Sequence, residues 1–317
     1  MQALKLRSHK ALIMTAIHVI DVSNWLHRAY HAGPQLTSPS GYPTGAVKVF
    51  LNMVDSLRRK LSPNDYLVFA FDCPRDKSWR YELVQDWCKT NRIGSDGLYK
   101  AGRKDDPEKR ESLSKQMKLV RTLLDAAGFC LLDQDASEAD DILATIARRF
   151  HRVCNVHLHT RDKDCASMLV YPNVCVEHPA ADRSPARTLA GSEDCVKVYG
   201  VRPEQIVDFL TLMGDKADNI PGVPGVGEQT AVKILTAFDS IANFMSQEKE
   251  CSRYKSFRDK NFPMPIELMQ ELITLNTRVA GVPTQLKKLA RKPITQKRTD
   301  ELLRLKRKYA FSSLFGA

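Results

Sequence analysis

With 317 residues, 43% of them hydrophobic, and a mean hydropathy of -0.34, the chain can form one large or two modest cores. Its longest apolar stretches, such as Ala16–Ile20 and Leu67–Phe71, are far too short to cross a bilayer. The net charge of +11 favours a polyanionic partner, nucleic acid ahead of an anionic membrane. The eight cysteines include no C-x-x-C pair, which argues against a zinc ribbon or a disulfide framework and fits free thiols in a reducing, cytoplasmic compartment.

Residues 1–16 carry Lys5, Arg7 and Lys10 and no acid, and read as a basic N-terminal extension. Met14 is an alternative first residue. The apolar run leads straight into Asp21, so a signal peptide is not expected, and organellar import is the lesser reading. Short apolar runs then alternate with helical spacing, the pattern of a parallel sheet with crossover helices. The expected strands are Ile17–Ile20, Leu67–Phe71, Phe129–Leu132, Val156–His159 and Val174–Val176. The expected helices are Gly45–Lys60, Ser114–Ala127 and Ile142–Phe150. Tyr81–Arg110 is polar and shows no clear core stripe, so it reads as a long excursion that is mobile or only locally helical. From about Val201 the pattern changes to short helices with Gly/Pro turns. There a hairpin, Pro221–Gly227, precedes an amphipathic helix, Glu228–Phe238. The tail from Lys287 to Lys308 is dense in Lys and Arg, with Asp300 and Glu301 its only acids; a solvated helix face and phosphate contact are equally good readings of it.

Four expected strands run into acids: Asp21, Asp72, the group Asp133 to Asp141, and Asp162 with Asp164. In an open parallel sheet the carboxyl ends of the strands share one edge, so acids distant in sequence converge there. Each acid also has an ordinary reading, as a strand-end turn residue or as a favourable charge at a helix start. On a regular helix Glu138 and Asp141 share a side, with Asp140 roughly 160° from Glu138. Asp162 and Asp164 point the same way if the chain is extended, and Asp215 and Asp218 share a face if it is helical. Together, so many carboxylates repel one another and raise their pKa values. Divalent cations relieve that repulsion, and oxygen-only ligands suit Mg²⁺ or Mn²⁺ over zinc. Hard metals held by acids on a basic protein are what two-metal phosphodiester hydrolysis requires. His157 and His159 share a strand face and read better as core or surface residues than as a catalytic base.

Several strings, in order, carry a resemblance: Asp21-Val-Ser-Asn-Trp-Leu-His-Arg28, Phe71-Asp72, Tyr99-Lys-Ala-Gly-Arg103, Glu138-Ala-Asp-Asp141, Asp162-Lys-Asp164, and Gly214-Asp-Lys-Ala-Asp-Asn-Ile-Pro-Gly-Val-Pro-Gly-Val-Gly-Glu-Gln-Thr-Ala231. The chain resembles the flap endonuclease and 5′-3′ exonuclease family, in particular the 5′-nuclease domain of bacterial DNA polymerase I and its free-standing phage and bacterial relatives. The likeness implies metal-binding roles for Asp21, Asp72, Glu138, Asp140, Asp141, Asp162, Asp164, Asp215 and Asp218. By analogy Asp72, Glu138 and Asp140 hold a first ion and Asp162, Asp164 and Asp215 a second, while Asp21, Asp141 and Asp218 act through water. It also implies that Lys100 and Arg103 belong to a helical arch over the 5′ strand and that Arg28 serves the scissile phosphate. The hairpin with Gly222, Gly225, Gly227, Gln229, Thr230 and Lys233 would meet duplex phosphates, with K⁺ as a further ion there. Arg80 and Lys100 lie farther apart than in the polymerase domain, which implies an enlarged arch entrance.

The expectation is therefore an α/β protein with a three-layer, mostly parallel sheet of PIN-like nuclease type. Residues 17–200 form the core, with an arch insertion at about 78–115, and residues 201–317 form a helical helix-hairpin-helix region with a basic tail. The expected reaction is metal-dependent hydrolysis of DNA or primer RNA at 5′ ends, flaps and nicks in replication or repair, using two or more ions. Expected partners are branched or 5′-ended DNA, RNA–DNA primer junctions, and a separate DNA polymerase or single-strand-binding protein. No polymerase domain follows Ala317, so the nuclease is expected to be free-standing. A non-catalytic structure-specific DNA-binding protein and a PIN-type ribonuclease are the alternatives.

Overall fold

The computed structural model describes residues 15–33, 35–94, 99–100, 106–179, 185–311 and 315. Arg103 and the basic N-terminal extension lie outside the described residues, apart from Thr15 and Ala16. The centre is a six-stranded sheet in the order β3-β2-β1-β4-β5-β6. Its strands are β1 Ala16–Asp21, β2 Tyr66–Ala70, β3 Cys130–Leu132, β4 Asn155–His159, β5 Val174–His178 and β6 Arg187–Ala190. All neighbours are parallel except β5 and β6. The strand order reverses between β1 and β4, and a crevice for ligands opens beyond the carboxyl ends of strands at such a point.

The helices are α1 Val22–Ala32, α2 Gly45–Arg58, α3 Trp79–Asn91, α4 Pro107–Ala126, α5 Ala139–Phe150, α6 Gly191–Tyr199, α7 Ile206–Met213, α8 Glu228–Phe238, α9 Ile241–Ser246, α10 Glu248–Cys251, α11 Lys255–Arg258, α12 Ile266–Ile273 and α13 Gln296–Tyr309. One buried cluster joins Ile20 and Phe69 of the sheet to Leu26, Phe50 and Leu123 of α1, α2 and α4, and includes Leu302 and Leu305 of α13. The other joins Ile17, Val68 and Leu158 to Ile142 of α5 and continues through Phe209, Ile234 and Met269 of the C-terminal helices. Alternate residues of each strand thus feed opposite layers. No helix among the described residues is long and apolar enough to cross a membrane.

The excursion expected over Tyr81–Arg110, mobile or only locally helical, opens within α3, residues 79–91, capped by the Ser78 side chain. Its buried stripe is Arg80, Val84 and Cys88, so a cation occupies one of the core-facing positions and hides the apolar period. Helix α4 begins seven residues before Ser114. Asp106 caps it and Pro107 opens it, a start signal that apolar periodicity does not register. Strand β6, absent from the sequence reading, shows an exposed, exposed, buried, exposed pattern too short to stand out.

After α12 the chain passes along β3. Cys130 Sγ faces the Lys288 carbonyl at 3.9 Å, and the Lys292 amide donates to the Gly128 carbonyl at 2.7 Å. At Gly128, with φ +79°, a Cβ would lie 2.8 Å from the Lys292 carbonyl, so glycine is what allows this close crossing.

Candidate metal centre

The acids gather where the strand order reverses. Asp21 closes β1 and also caps α1, accepting from the Asn24 amide at 2.9 Å and from Thr160 Oγ1 at 3.1 Å. Asp72 follows β2, and its Oδ1 accepts the Ala139 amide at 2.8 Å, at the positive end of α5. Asp140 lies in the first turn of α5, while Asp162 and Asp164 follow β4. Carboxylate oxygens of Asp140, Asp162 and Asp164 all lie within 4.8 Å of one another. The convergence of Asp162 and Asp164 does not come from an extended chain, since Asp164 opens a 3-10 turn, Asp164–Val170.

Electrostatics marks the same group. Burial, then Asp72 and Asp162, push the Asp21 carboxyl up to about 7. Burial and the other acids raise Asp140 and Asp164 well above the carboxylate range. Asp162 is raised by burial and by Asp215. Asp164 Oδ1 is buried without a hydrogen-bond partner. An all-oxygen donor set of mutually repelling acids, one with an idle buried oxygen, fits a hard divalent cation.

Other acids form a second tier around cations. Lys100 Nζ donates to Glu138 Oε2 at 2.8 Å and lies 3.7 Å from Asp218 Oδ1. Burial opposes its charge, but Asp218, Tyr99 and Glu138 together raise its pKa. Glu138 is held below its usual value against its burial, mainly by Lys100 and Arg80, and also accepts from Ser78 and Tyr99. Asp215 and Asp218 lie in a turn closed by pairing of Asp215 with Ile220, so the shared helix face does not form.

Asp141 stands apart from the ligand set expected by analogy. It is 0% exposed, and Arg80 Nη1 and Nη2 hold its two oxygens at 2.9 and 2.8 Å. Trp79 Nε1 and the Asn276 amide also donate to it at 2.9 Å. Arg80 further donates to the carbonyls of Leu272 and Thr274, tying α3 and α5 to the end of α12. These bonds occupy Asp141 structurally.

Arg28 lies near Arg161, and burial and that neighbour lower its pKa. Tyr99, which opens the Tyr99–Arg103 string, and Thr160 donate to Glu138 and Asp21, and Arg161 lies beside Arg28. Sequence alone gives none of the three a role of its own. His18 Nδ1 lies 3.0 Å from His159 Nε2, and His157 Nδ1 lies 2.8 Å from Glu177, so these imidazoles form a row within the sheet rather than joining the acids.

In the hairpin, Gly222 is buried, and a Cβ there would lie 2.5 Å from the Gly214 amide nitrogen. Its small size serves packing within the turn. Gly225, at φ +83°, and Gly227 are exposed, and a Cβ at either would meet nothing within 4 Å. Gln229 and Lys233 are exposed on α8, with Thr230 half-buried between them.

These shifts predict how stability depends on pH. The raised Asp21 binds its proton more tightly when folded, so its contribution is lost as pH rises from about 4 to about 7. His18 and His159 are lowered, by burial first, to about 4 and about 3, so their folded neutrality costs stability as pH falls below about 6.5. In EDTA-treated protein the melting temperature should therefore fall as pH rises through the range in which Asp21, Asp140 and Asp164 lose their protons, with the two histidines opposing that trend only below about pH 6.5. Mg²⁺ should raise it more at pH 8 than at pH 5. A magnesium effect equal at the two pH values would exclude carboxylate repulsion as its source.

Comparison with known proteins gives the family and the fold. A family described as 5′-3′ exonuclease, N-terminal resolvase-like domain, matches residues 16–200, and one described as 5′-3′ exonuclease, C-terminal SAM fold, matches residues 201–297. A 5′-3′ exonuclease of Aquifex aeolicus is 32% identical over 265 residues, 83% of each chain. DNA polymerase I of Pseudomonas aeruginosa is 40% identical over 223 residues, 69% of this chain and 22% of the polymerase. Among solved structures, phage T5 D15 protein co-crystallized with metal ions superimposes with a TM-score of 0.61 at 19% identity, covering 92% of this chain and 99% of that one. Human GEN1 in complex with Holliday junction DNA gives 0.60 at 16% identity, covering 93% and 67%. The last two share the fold. With both family descriptions matched in sequence order, the chain belongs to the 5′-3′ exonuclease family.

Proposed function

We propose that the chain is a structure-specific 5′-nuclease, acting as a 5′-3′ exonuclease and a flap endonuclease on DNA or primer RNA. The observation that carries this reading is the convergence of Asp140, Asp162 and Asp164, with the idle Asp164 oxygen, at the point where the sheet's strand order reverses. Asp140, Asp162 and Asp164 would hold Mg²⁺ or Mn²⁺, with Asp21, Asp72, Glu138, Asp215 and Asp218 around them. Bound ions would neutralise charge on the scissile phosphate and make a water molecule more acidic. Lys100, Arg103 and Arg28 would add cationic stabilisation as charge develops on the phosphate. Thr160 orients Asp21, and Tyr99 orients Glu138.

Residues 17–200 would carry the chemistry and residues 201–317 the duplex. K⁺ at the hairpin, a polymerase or single-strand-binding partner in trans, and a bacterial or phage cytoplasmic setting belong to the same proposal. A labelled 5′-flap duplex incubated with Mg²⁺ and with EDTA tests the activity. Cleavage at the branch with Mg²⁺ alone is expected, whereas tight binding without cleavage under both conditions would leave a DNA-binding protein.

Gly227 separates docking from chemistry. Its φ of -95° suits any residue and its Cβ direction is open, so Gly227→Val disturbs only the α8 cap, at about 1 kcal/mol or less. Flap binding should nevertheless weaken roughly tenfold, the equivalent of about 1.4 kcal/mol, because the backbone can no longer approach a phosphate closely. Cleavage of a short single strand should be nearly unchanged. Full flap affinity in the folded variant would remove the hairpin from the DNA surface.

A further inference from the structure

Lys100 stands among the acids as a cation that the chain itself supplies. Its Nζ donates to Glu138 Oε2 at 2.8 Å and lies 3.7 Å from Asp218 Oδ1, and its side chain is 14% exposed. Its charge also reaches the neighbouring group. Burial, then other acids, raise the pKa of Asp162 and Asp164, and Lys100 opposes the rise at both.

Glu138 has no oxygen to spare. Ser78 Oγ and Tyr99 OH donate to its Oε1 at 3.1 and 3.2 Å, and Arg80 Nη1 joins Lys100 at Oε2, at 3.4 Å. Two carboxylate oxygens offer about four acceptor sites, so an ion can use Glu138 only when one of these donors leaves. Ser78, Arg80 and Tyr99 are each 2% exposed or less, which leaves Lys100 as the donor with a way out. Its backbone is held in place. The Lys100 amide donates to the Asp218 carbonyl at 2.9 Å, and the Arg75 guanidinium donates to the Tyr99 carbonyl. Movement is therefore confined to the flexible four-carbon stem and its rotatable ammonium.

We propose that Lys100 is a cation with two posts: it neutralises Glu138 and Asp218 in competition with a divalent ion, and it leaves them for a phosphate of the substrate strand. The inference rests on the reading of the acids as ion ligands. An ammonium and an ion that draw on the same carboxylate oxygens exclude each other, whereas phosphate offers the ammonium a charged acceptor of its own. Ion and phosphate then favour each other by linkage, and Lys100 holds back ion capture at Glu138 until a strand is present.

Calorimetric titration of the EDTA-stripped, dialysed full chain with Mg²⁺ alone tests this without any turnover. Lys100→Met should bind Mg²⁺ at least about tenfold more tightly than wild type, and Lys100→Met/Glu138→Gln should lose that gain. Lys100→Arg keeps a cation on Glu138 and should titrate like wild type. Arg28→Met removes one positive charge from α1 without freeing Glu138, and should gain far less than Lys100→Met. Melting gives a second reading. Lys100→Met should melt below wild type in EDTA, and the deficit should close in saturating Mg²⁺ as an ion takes over the neutralising role. Equal Mg²⁺ affinity in wild type and Lys100→Met, a gain that survives in the double variant, or an equal gain in Arg28→Met would overturn the proposal. Mg²⁺-dependent flap cleavage by wild type would in that case leave the nuclease reading intact. Failure of wild type and every variant to bind Mg²⁺ would overturn both.

Discussion

Asp140→Asn and Asp162→Asn should each lower flap cleavage at saturating Mg²⁺ by roughly a thousandfold or more, since even one lost organised electrostatic contact costs enzymes on that scale. Flap affinity should stay within a few-fold, because most of it comes from phosphate contacts elsewhere. The same variants should melt at higher temperature than wild type in EDTA. Each removes a buried carboxyl whose pKa burial and the neighbouring acids raise, so the cluster loses repulsion when the charge is deleted. Opposite signs for activity and stability distinguish a strained metal site from an ordinary structural acid. A variant that cleaves at the wild-type rate, or that both melts early and loses DNA, would remove these residues from the centre. Parallel measurements of cleavage, binding and melting decide it.

Arg80→Met is the second large effect, and its sign is the reverse. The guanidinium is 2% exposed and answers both oxygens of a carboxylate that is 0% exposed. Burial works against the charge on Arg80, but Asp141 outweighs it and raises the pKa. Losing the arginine leaves the Asp141 carboxylate buried without a countercharge, held only by the Trp79 and Asn276 donors, at a cost of about 3–5 kcal/mol. The Leu272 and Thr274 carbonyls lose a donor as well, so the junction between α3, α5 and α12 loosens. Arg80→Met/Asp141→Leu should recover part of the loss, since an apolar pair replaces a broken ion pair. Denaturant unfolding of the three proteins measures this. A single-variant loss below about 1 kcal/mol would show that water reaches Asp141.

These two residues also show what sequence could and could not reveal. Helix periodicity alone sets Asp140 away from Glu138 and Asp141, and in the fold Asp140 meets Asp162 and Asp164 while Glu138 and Asp141 turn to Arg80. The resemblance groups Glu138 with Asp140 and gives Asp141 a place near the ions, because a motif records order and not direction. The five parallel strands are legible since strands buried on both faces read as plain apolar runs. Helix α3 is not, because a buried arginine breaks an apolar stripe while still facing inward. The Asp215–Asp218 turn departs from expectation for a related reason. A spacing of three implies a shared helix face only where the backbone is helical, and here the turn closes on Ile220 instead.

The segment that passes along β3 has a consequence for synthesis. Cys130 and Lys288, which face each other, are 158 residues apart in the chain. At roughly 5–20 residues per second, β3 emerges from the ribosome on the order of ten seconds before the stretch that covers it. Through that interval Cys130 and the Gly128 carbonyl lack the partners that Lys288 and Lys292 supply in the finished fold. The yield of native protein should therefore depend on how quickly the last third of the chain is translated.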